Sequence, residues 1–293
     1  MDERKQARPM VKDSILLTVY DREYEVLLAT LRSLSRCDMT DTEVIVVDDG
    51  STMDYAGVIA YGQKRFENFR WHRMEEYEAF RIGETGFNNP ARAFNTALSM
   101  ATGERIVVMS SDVLVNPSVV RRMRRIDPGE MAWTPLVIDT ESGMQYCGPA
   151  RLFPMPWFFV CARSVALAVG GWDEKYLDGI NYEDNDFVGR VVLKTGRFVG
   201  DWNCVVYHQS HNQPAYALDD PVLEEARKRN CFWTKKKWSG IPFDADYIPF
   251  NVLRKPHESG NVVHECTYEG TLLEDTIRNT IGLVAGKEKV HAL

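Results

Sequence analysis

Three short runs constrain this chain more than anything else in it: "SILLTVY" from Ser14, "EVIVVDDGS" from Glu43 and "ERIVVMSSD" from Glu104. Each is nearly continuously apolar, rich in Val and Ile, and breaks off into Asp, Gly or Ser. A segment apolar on both sides suits a strand buried on both faces, which is the habit of parallel sheets. Helix-like stretches lie between the runs. "EYEVLLATLRSL" puts Val26, Leu27, Leu31 and Leu34 at helical spacing, and "NPARAFNTALSMA" does the same with Ala, Phe and Leu. Strand, helix, strand, helix, strand predicts an α/β doubly wound sheet flanked by helices.

The polar residues fall where such a sheet binds ligands, outside the carboxyl ends of its strands. Asp21 and Arg22 follow the first run, Asp48 and Asp49 end the second, and Ser110, Ser111 and Asp112 end the third. Several acids at one crevice do not suit a dinucleotide. No G-x-G-x-x-G follows the first strand, and no G-x-x-x-x-G-K-[ST] occurs in the chain. Phosphate is then held most simply through a divalent metal. A structural alternative stands for Asp112, which could cap a helix starting at "NPSVV".

The formal net charge of -7 speaks against a general nucleic-acid surface. The opening "MDERKQARPMVKD" has no apolar core, so no secretory signal is expected, and no apolar run is long enough to span a bilayer. The six cysteines are scattered without a C-x-x-C pair, which reads as small buried hydrophobes in a reducing compartment. The expected location is cytoplasmic, with a peripheral membrane surface left open.

The second half is dense in aromatics, glycines and acids, through "GGWDEKYLDGINYEDNDFVGRV" to "VVYHQSH". Aromatics beside carboxylates suit a sugar or another hydroxylated acceptor, and equally suit a packed core. Beyond Asn212 the chain reads as a partly helical extension. "DDPVLEEARKRNCFW" is a helix start with Pro in its first turn, and "GTLLEDTIRNTIGLVAG" is an amphipathic helix stopping at Gly286. The expected division is a polar segment 1–13, a main domain 14–211 and an extension 212–293. Within the main domain, 14–115 is the donor half and 116–211 the acceptor half. The extension's helices are expected to cover the core, act as a lid, or mediate an oligomer contact.

Taken in order, these segments resemble the family 2 glycosyltransferases of GT-A fold, which are inverting and metal-dependent. "SILLTVYDR" is similar to the family's apolar-P-T-Y-N-R opening, and "VIVVDDGST" to V-V-D-D-G-S. "ARAFNTALSMATGERIVVMSSD" is similar to A-R-N-x-G, helix, strand and D-x-D. "GGWDEKY" follows G-G-F-D-E, "NYEDNDFVGRV" the acceptor-side E-D motif, and "VVYH" a late histidine. The resemblance runs from Ser14 to His208. It departs at the metal motif, where Ser110 replaces the first acid and only Asp112 is kept.

The resemblance implies a Rossmann-like, mixed but mainly parallel sheet. Its function would be to move a sugar from a nucleoside-diphosphate sugar, with uracil as the expected base and GDP- or dTDP-sugars as alternatives. Glycan, lipid-linked or other hydroxylated molecules are the expected acceptors. The implied donor contacts are Thr18, Tyr20, Asp21, Arg22, Asp48, Asp49, Arg92, Ser110, Ser111 and Asp112. The implied metal, Mn2+ or Mg2+, falls to Asp112 and His208, with His211 as the rival second ligand. Asp184 would be the general base beside Glu183, while Trp172 and Asp173 would meet the acceptor. Asp186 either joins that run or holds the helix start. Three rival readings remain. A nucleotidyltransferase would want a glycine loop after the first strand. A silent nucleotide- or sugar-binding module is favoured by Ser110-Ser111-Asp112 and opposed by the Glu183-Asp184 pair. A glycosidase would use two carboxylates.

Overall fold

The structure, a computed structural model, describes residues 12–75, 89–129, 131–147, 156–211 and 221–238, with the short backbone stretches 256–257, 260–261 and 263–267. The three apolar runs become β1 (Asp13–Val19), β2 (Thr42–Asp48) and β4 (Arg105–Ser110), with β3 (Asn68–Arg73) beside β2. Helix α1 (Tyr24–Leu34) joins β1 to β2, α2 (Ala56–Arg65) joins β2 to β3, and α3 (Ala91–Met100) precedes β4. Then follow β5 (Val113–Leu114), α4 (Pro117–Met123), β6 (Ala132–Asp139), β7 (Gln145–Cys147), β8 (Phe158–Ala162) and α5 (Arg163–Ala168). The segment up to residue 211 closes with a 3-10 turn (Glu174–Tyr176), α6 (Glu183–Thr195) and β9 (Arg197–His208). Beyond it lie α7 (Pro221–Lys237), β10 (Pro256–His257), β11 (Gly260–Asn261) and β12 (Val263–Thr267).

The main sheet runs β12-β9-β6-β8-β4-β1-β2-β3. Pairing is parallel from β4 through β1 and β2 to β3, and from β12 through β9 to β6. Only β8 is reversed along this path, antiparallel to both β4 and β6. Two reversals restore direction, so the carboxyl ends of β1, β2, β4, β6 and β9 share one edge. Helices α3 and α6 each lead into the opposite end of the following strand. Their N-termini therefore sit at that same edge.

The strands are apolar throughout because both faces are covered. Ile15, Leu17, Val44 and Val46 face Leu27, Leu31 and Leu34 of α1. Leu16, Ile45, Val47, Ile106 and Val108 face Ala93, Phe94, Ala97 and Leu98 of α3. Each fully buried Leu of this kind contributes roughly 1.5–3 kcal/mol of transfer free energy. Cys37, Cys147, Cys161 and Cys204 are buried free thiols, and burial pushes Cys37 up to about 12. No helix among the described residues is long and apolar enough to cross a membrane.

Parts of the segment beyond 211 are built into this body. β12 adds to the sheet beside β9. On α7, Asn230 donates to Tyr176 O and Asn181 O, both at 2.9 Å, and just past its end Trp238 Nε1 donates to Asp186 at 2.9 Å. The expected helix at 270–286 lies outside the described residues.

Candidate active site

Asp112 lies between β4 and the short β5, which pairs antiparallel with the end of β9. That pairing sets Val113 opposite His208, and the Gln209 N–H donates to Asp112 O at 2.9 Å. The helix after it is capped by Asn116, whose side chain accepts from Ser118 N and Val119 N. Asp112 is therefore not used as a cap. His208 Nε2 lies 3.8 Å and His211 Nε2 3.0 Å from its carboxylate. Ligand atoms of Asp112, His208 and His211 all fall within 4.8 Å of one another.

Arg22 enters from the β1 loop. Its guanidinium pairs with Asp112 at 3.0 Å and donates to His211 Nδ1. Burial raises the Asp112 carboxyl, but the His211 contact, Arg22 and the second imidazole outweigh it, holding the group well below the usual range. Asp112 Oδ1 is buried and accepts no hydrogen bond.

Asp139 is a residue the sequence reading missed. It ends β6, and the parallel register sets it beside His208. Its Oδ2 lies 3.2 Å from His208 Nδ1. A proton on Nδ1 leaves Nε2 facing Asp112, the arrangement that orients a metal-ligating histidine. Burial opposes ionisation of Asp139, yet the Ser142 backbone N–H and hydroxyl, with His208, lower it to about 2. An acid ending an apolar run before a turn, "LVIDTESG", is the same signal that marked Asp48 and Asp112. The residues fit a divalent cation: one buried carboxylate oxygen without a donor, two imidazoles and an orienting acid.

The β1 and β2 loops interlock. Asp21, at φ +41°, accepts from Thr52 N at 2.6 Å and Met53 N at 3.1 Å, while its own N–H donates to Ser51 Oγ. Asp48 accepts from Ser51 N at 2.8 Å. Both acids thus shape the loop, and buried Asp49 sits beside them at the end of β2. Thr18 and Ser110 are register partners across β1 and β4, Tyr20 is half-buried just past β1, and the Ser111 carbonyl accepts from Thr30.

The Glu183-Asp184 pair opens α6 at the same sheet edge. Asn181 and Tyr182, just before it, are left-handed at φ +65° and +75°, a cost of order 1–3 kcal/mol each for non-glycine residues. The Asn230 bond to Asn181 O helps hold them. Asn89 Nδ2 donates to Glu183 Oε2 at 2.9 Å, while its Oδ1 accepts from Ala91 N at the start of α3. Trp172 Nε1 donates to Asp184 Oδ1 at 3.1 Å. Burial, then the Asp184 charge, push the Glu183 carboxyl up. Burial also raises Asp184, opposed in part by the Trp172 N–H.

The remaining expected residues have local partners. Trp172 is a core side chain, 1% exposed. Asp173 accepts from Lys175 N and pairs with Lys237 at 2.7 Å. Arg92 Nε lies 3.4 Å from Glu174 Oε2 in the 3-10 turn. Asp186 is enclosed by Arg190, Lys237 and Trp238.

Residues 14–126 match the glycosyl transferase family 2 model. No curated protein matches the chain significantly. Among solved structures, S. aureus TarS 1-349 in complex with UDP-GlcNAc is similar over 83% of this chain and 79% of that one, with 16% identity and a TM-score of 0.55. The mannosyltransferase PcManGT from Pyrobaculum calidifontis, in complex with GDP-Man and Mn2+, is similar over 83% and 74%, with 15% identity and a TM-score of 0.52. At those identities the likeness speaks to fold, and the matched segment to family. Residues 14–126 thus form a glycosyl transferase family 2 segment, and the chain has the fold of the GT-A glycosyltransferases to which it is similar.

Proposed function

We propose that the chain transfers a sugar from a UDP-sugar to an acceptor hydroxyl with inversion, using Asp184 as the base and a divalent cation at Asp112, His208 and His211. The observation that carries this reading is the division of charge along one sheet edge. A cluster able to hold a cation stands at the ends of β4 and β9, and a buried Glu183 beside a half-buried Asp184, both with raised proton affinity, opens α6. A cation bound there supplies neutralisation of the departing diphosphate. Two imidazoles and one carboxylate favour Mn2+ over Mg2+, which prefers all-oxygen shells. Arg22, in the same cluster, adds fixed positive charge for the diphosphate.

Asp184 takes the acceptor proton as the hydroxyl attacks. Its raised affinity brings it closer to neutral working pH, where a base of this kind is most effective. Glu183 supports it through burial and shared charge. Asp49, buried at the end of β2, accepts the uracil imide N–H. Cytosine would instead present an acceptor to the carboxylate. Acceptors are glycan, lipid-linked or other hydroxylated molecules. A silent binder would have no use for this acid pair.

Calorimetry with Mn2+ and UDP tests the donor half. Wild type is expected to bind UDP in a Mn2+-dependent manner and to prefer UDP over CDP. Asp112→Ala is expected to lose the Mn2+-dependent part. Unchanged Mn2+-dependent affinity in that variant would remove Asp112 from the site, and equal competition by CDP would remove Asp49 from base reading.

A further inference from the structure

The Trp172 ring is held from every side. Phe187 stacks on it at 3.7 Å between centroids and 13°, and Phe94 at 4.7 Å and 13°. The Asn95 side chain clamps its backbone, accepting from Trp172 N at 2.8 Å and donating to Trp172 O at 2.9 Å. Gly171, at φ +65°, makes room for that clamp, since a Cβ there would lie 2.4 Å from Asn95 Oδ1. Buried at 1% exposure, the ring offers the site little surface. What it delivers is one N–H, 3.1 Å from Asp184 Oδ1. A phenylalanine, as in the G-G-F-D-E pattern, would keep the stack and omit this donor.

We propose that Trp172 is a positioning residue for Asp184: its immobilised indole N–H fixes one carboxylate oxygen, leaving the other to take the acceptor proton, and favours the ionised base. The inference rests on Asp184 being that base. A hydrogen bond to the charged form of an acid favours that form. Glu183 is the titratable neighbour of Asp184, itself raised by burial and by the Asp184 charge. Nearby, Asp186 is closed by Arg190 and Lys237, Asp173 by Lys237, and Glu174 by Arg92 and Asn95. The donor to Asp184 is thus a neutral group, and its loss leaves burial unopposed.

The test is a titration of the Asp184 carboxyl carbon by 13C NMR in the full chain, assigned by comparison with Asp184→Asn. In Trp172→Phe the midpoint is expected to move up by about one pH unit, the worth of one hydrogen bond to a charged group. UDP affinity should be unchanged. Should the Trp172→Phe substitution disturb folding, benzothienylalanine in place of Trp172 keeps the ring shape, replaces N–H by sulfur and gives the same readout. The acid limb of the turnover profile should move by the same amount. An unmoved midpoint in a folded variant overturns the proposal, even if Asp184→Asn is inactive. An active Asp184→Asn would instead overturn the base assignment, whatever the midpoint does.

Discussion

Acids are withdrawn from water both at the amino ends of the strands and at the start of α6, and the two sets have different partners. At the amino ends of the strands, Asp13 meets Arg105 at 2.8 Å and Arg124 at 3.2 Å. Glu43 accepts from Ser14 at 2.5 Å and Thr102 N at 2.6 Å, and pairs with Arg70. At the carboxyl edge, Glu183 and Asp184 are met by the neutral donors Asn89 and Trp172. Glu43 is 3% exposed and Glu183 6%, so burial does not separate them. Counter-charge does. For Glu43, burial is outweighed by hydrogen bonds and the Arg70 charge, and the carboxyl is lowered. For Glu183, burial and a second acid act together, and it is raised. The first arrangement stabilises the fold, and the second costs stability, as expected of the proton acceptor proposed at Asp184.

The largest expected break in this comparison is at Asp184. Asp184→Asn keeps the shape and removes the basicity. Turnover should fall by roughly 10²–10⁴ while UDP and Mn2+ affinities stay near wild type. Near-normal turnover, or a product with retained anomeric configuration, would reject an inverting transfer with this base.

Much of this was readable from local pattern. Strands apolar on both faces announced a parallel sheet, and their polar ends announced the edge at which Asp48, Asp49 and Asp112 gather. What escaped depends on partners distant in sequence. Asp139 reaches His208 only because the β6–β9 register jumps from Pro135↔Asp201 to Leu136↔Val205. Proline lacks the N–H that would continue the ladder, and no count along either strand foretells the jump. The choice between His208 and His211 was open because both arms of the turn after β9 reach Asp112. Trp172 reads as an acceptor platform beside acids in sequence, and only the stack with Phe94 and Phe187 places its ring in the core. Asp186, in the same run as Asp184, is distinguished by Trp238 and Lys237, which are far from it in sequence.

A smaller break lies at the other edge. Glu43→Gln keeps an acceptor for Ser14 and Thr102 but turns an amide toward Arg70. The loss of charge-assisted bonds should destabilise the fold by about 1.5–3 kcal/mol at neutral pH, measured by urea unfolding. The folded pKa of Glu43 is depressed, so its contribution is present above the unfolded value and lost as pH falls. The gap between wild type and variant should therefore close below about pH 4. A gap that persists in acid would mean that the amide, rather than the missing charge, causes the loss.

The smallest effect carries the opposite sign. Glu183→Gln removes the acid whose folded pKa is raised, while its carbonyl can still accept from Asn89. A raised carboxyl favours folding fully below the unfolded value of about 4.3, and that contribution is lost as pH rises through the folded value. Wild type and variant should thus be alike at about pH 4, and the variant should become the more stable one toward about pH 8. The pair titrates as a unit, so the crossover belongs to Glu183 and Asp184 together. A gain of about 1 kcal/mol would raise Tm by roughly 2–4 °C in a domain of this size. A variant that is less stable than wild type at about pH 8 would mean that Glu183, like Glu43, is held as a paired carboxylate, and the distinction between the two edges would be lost.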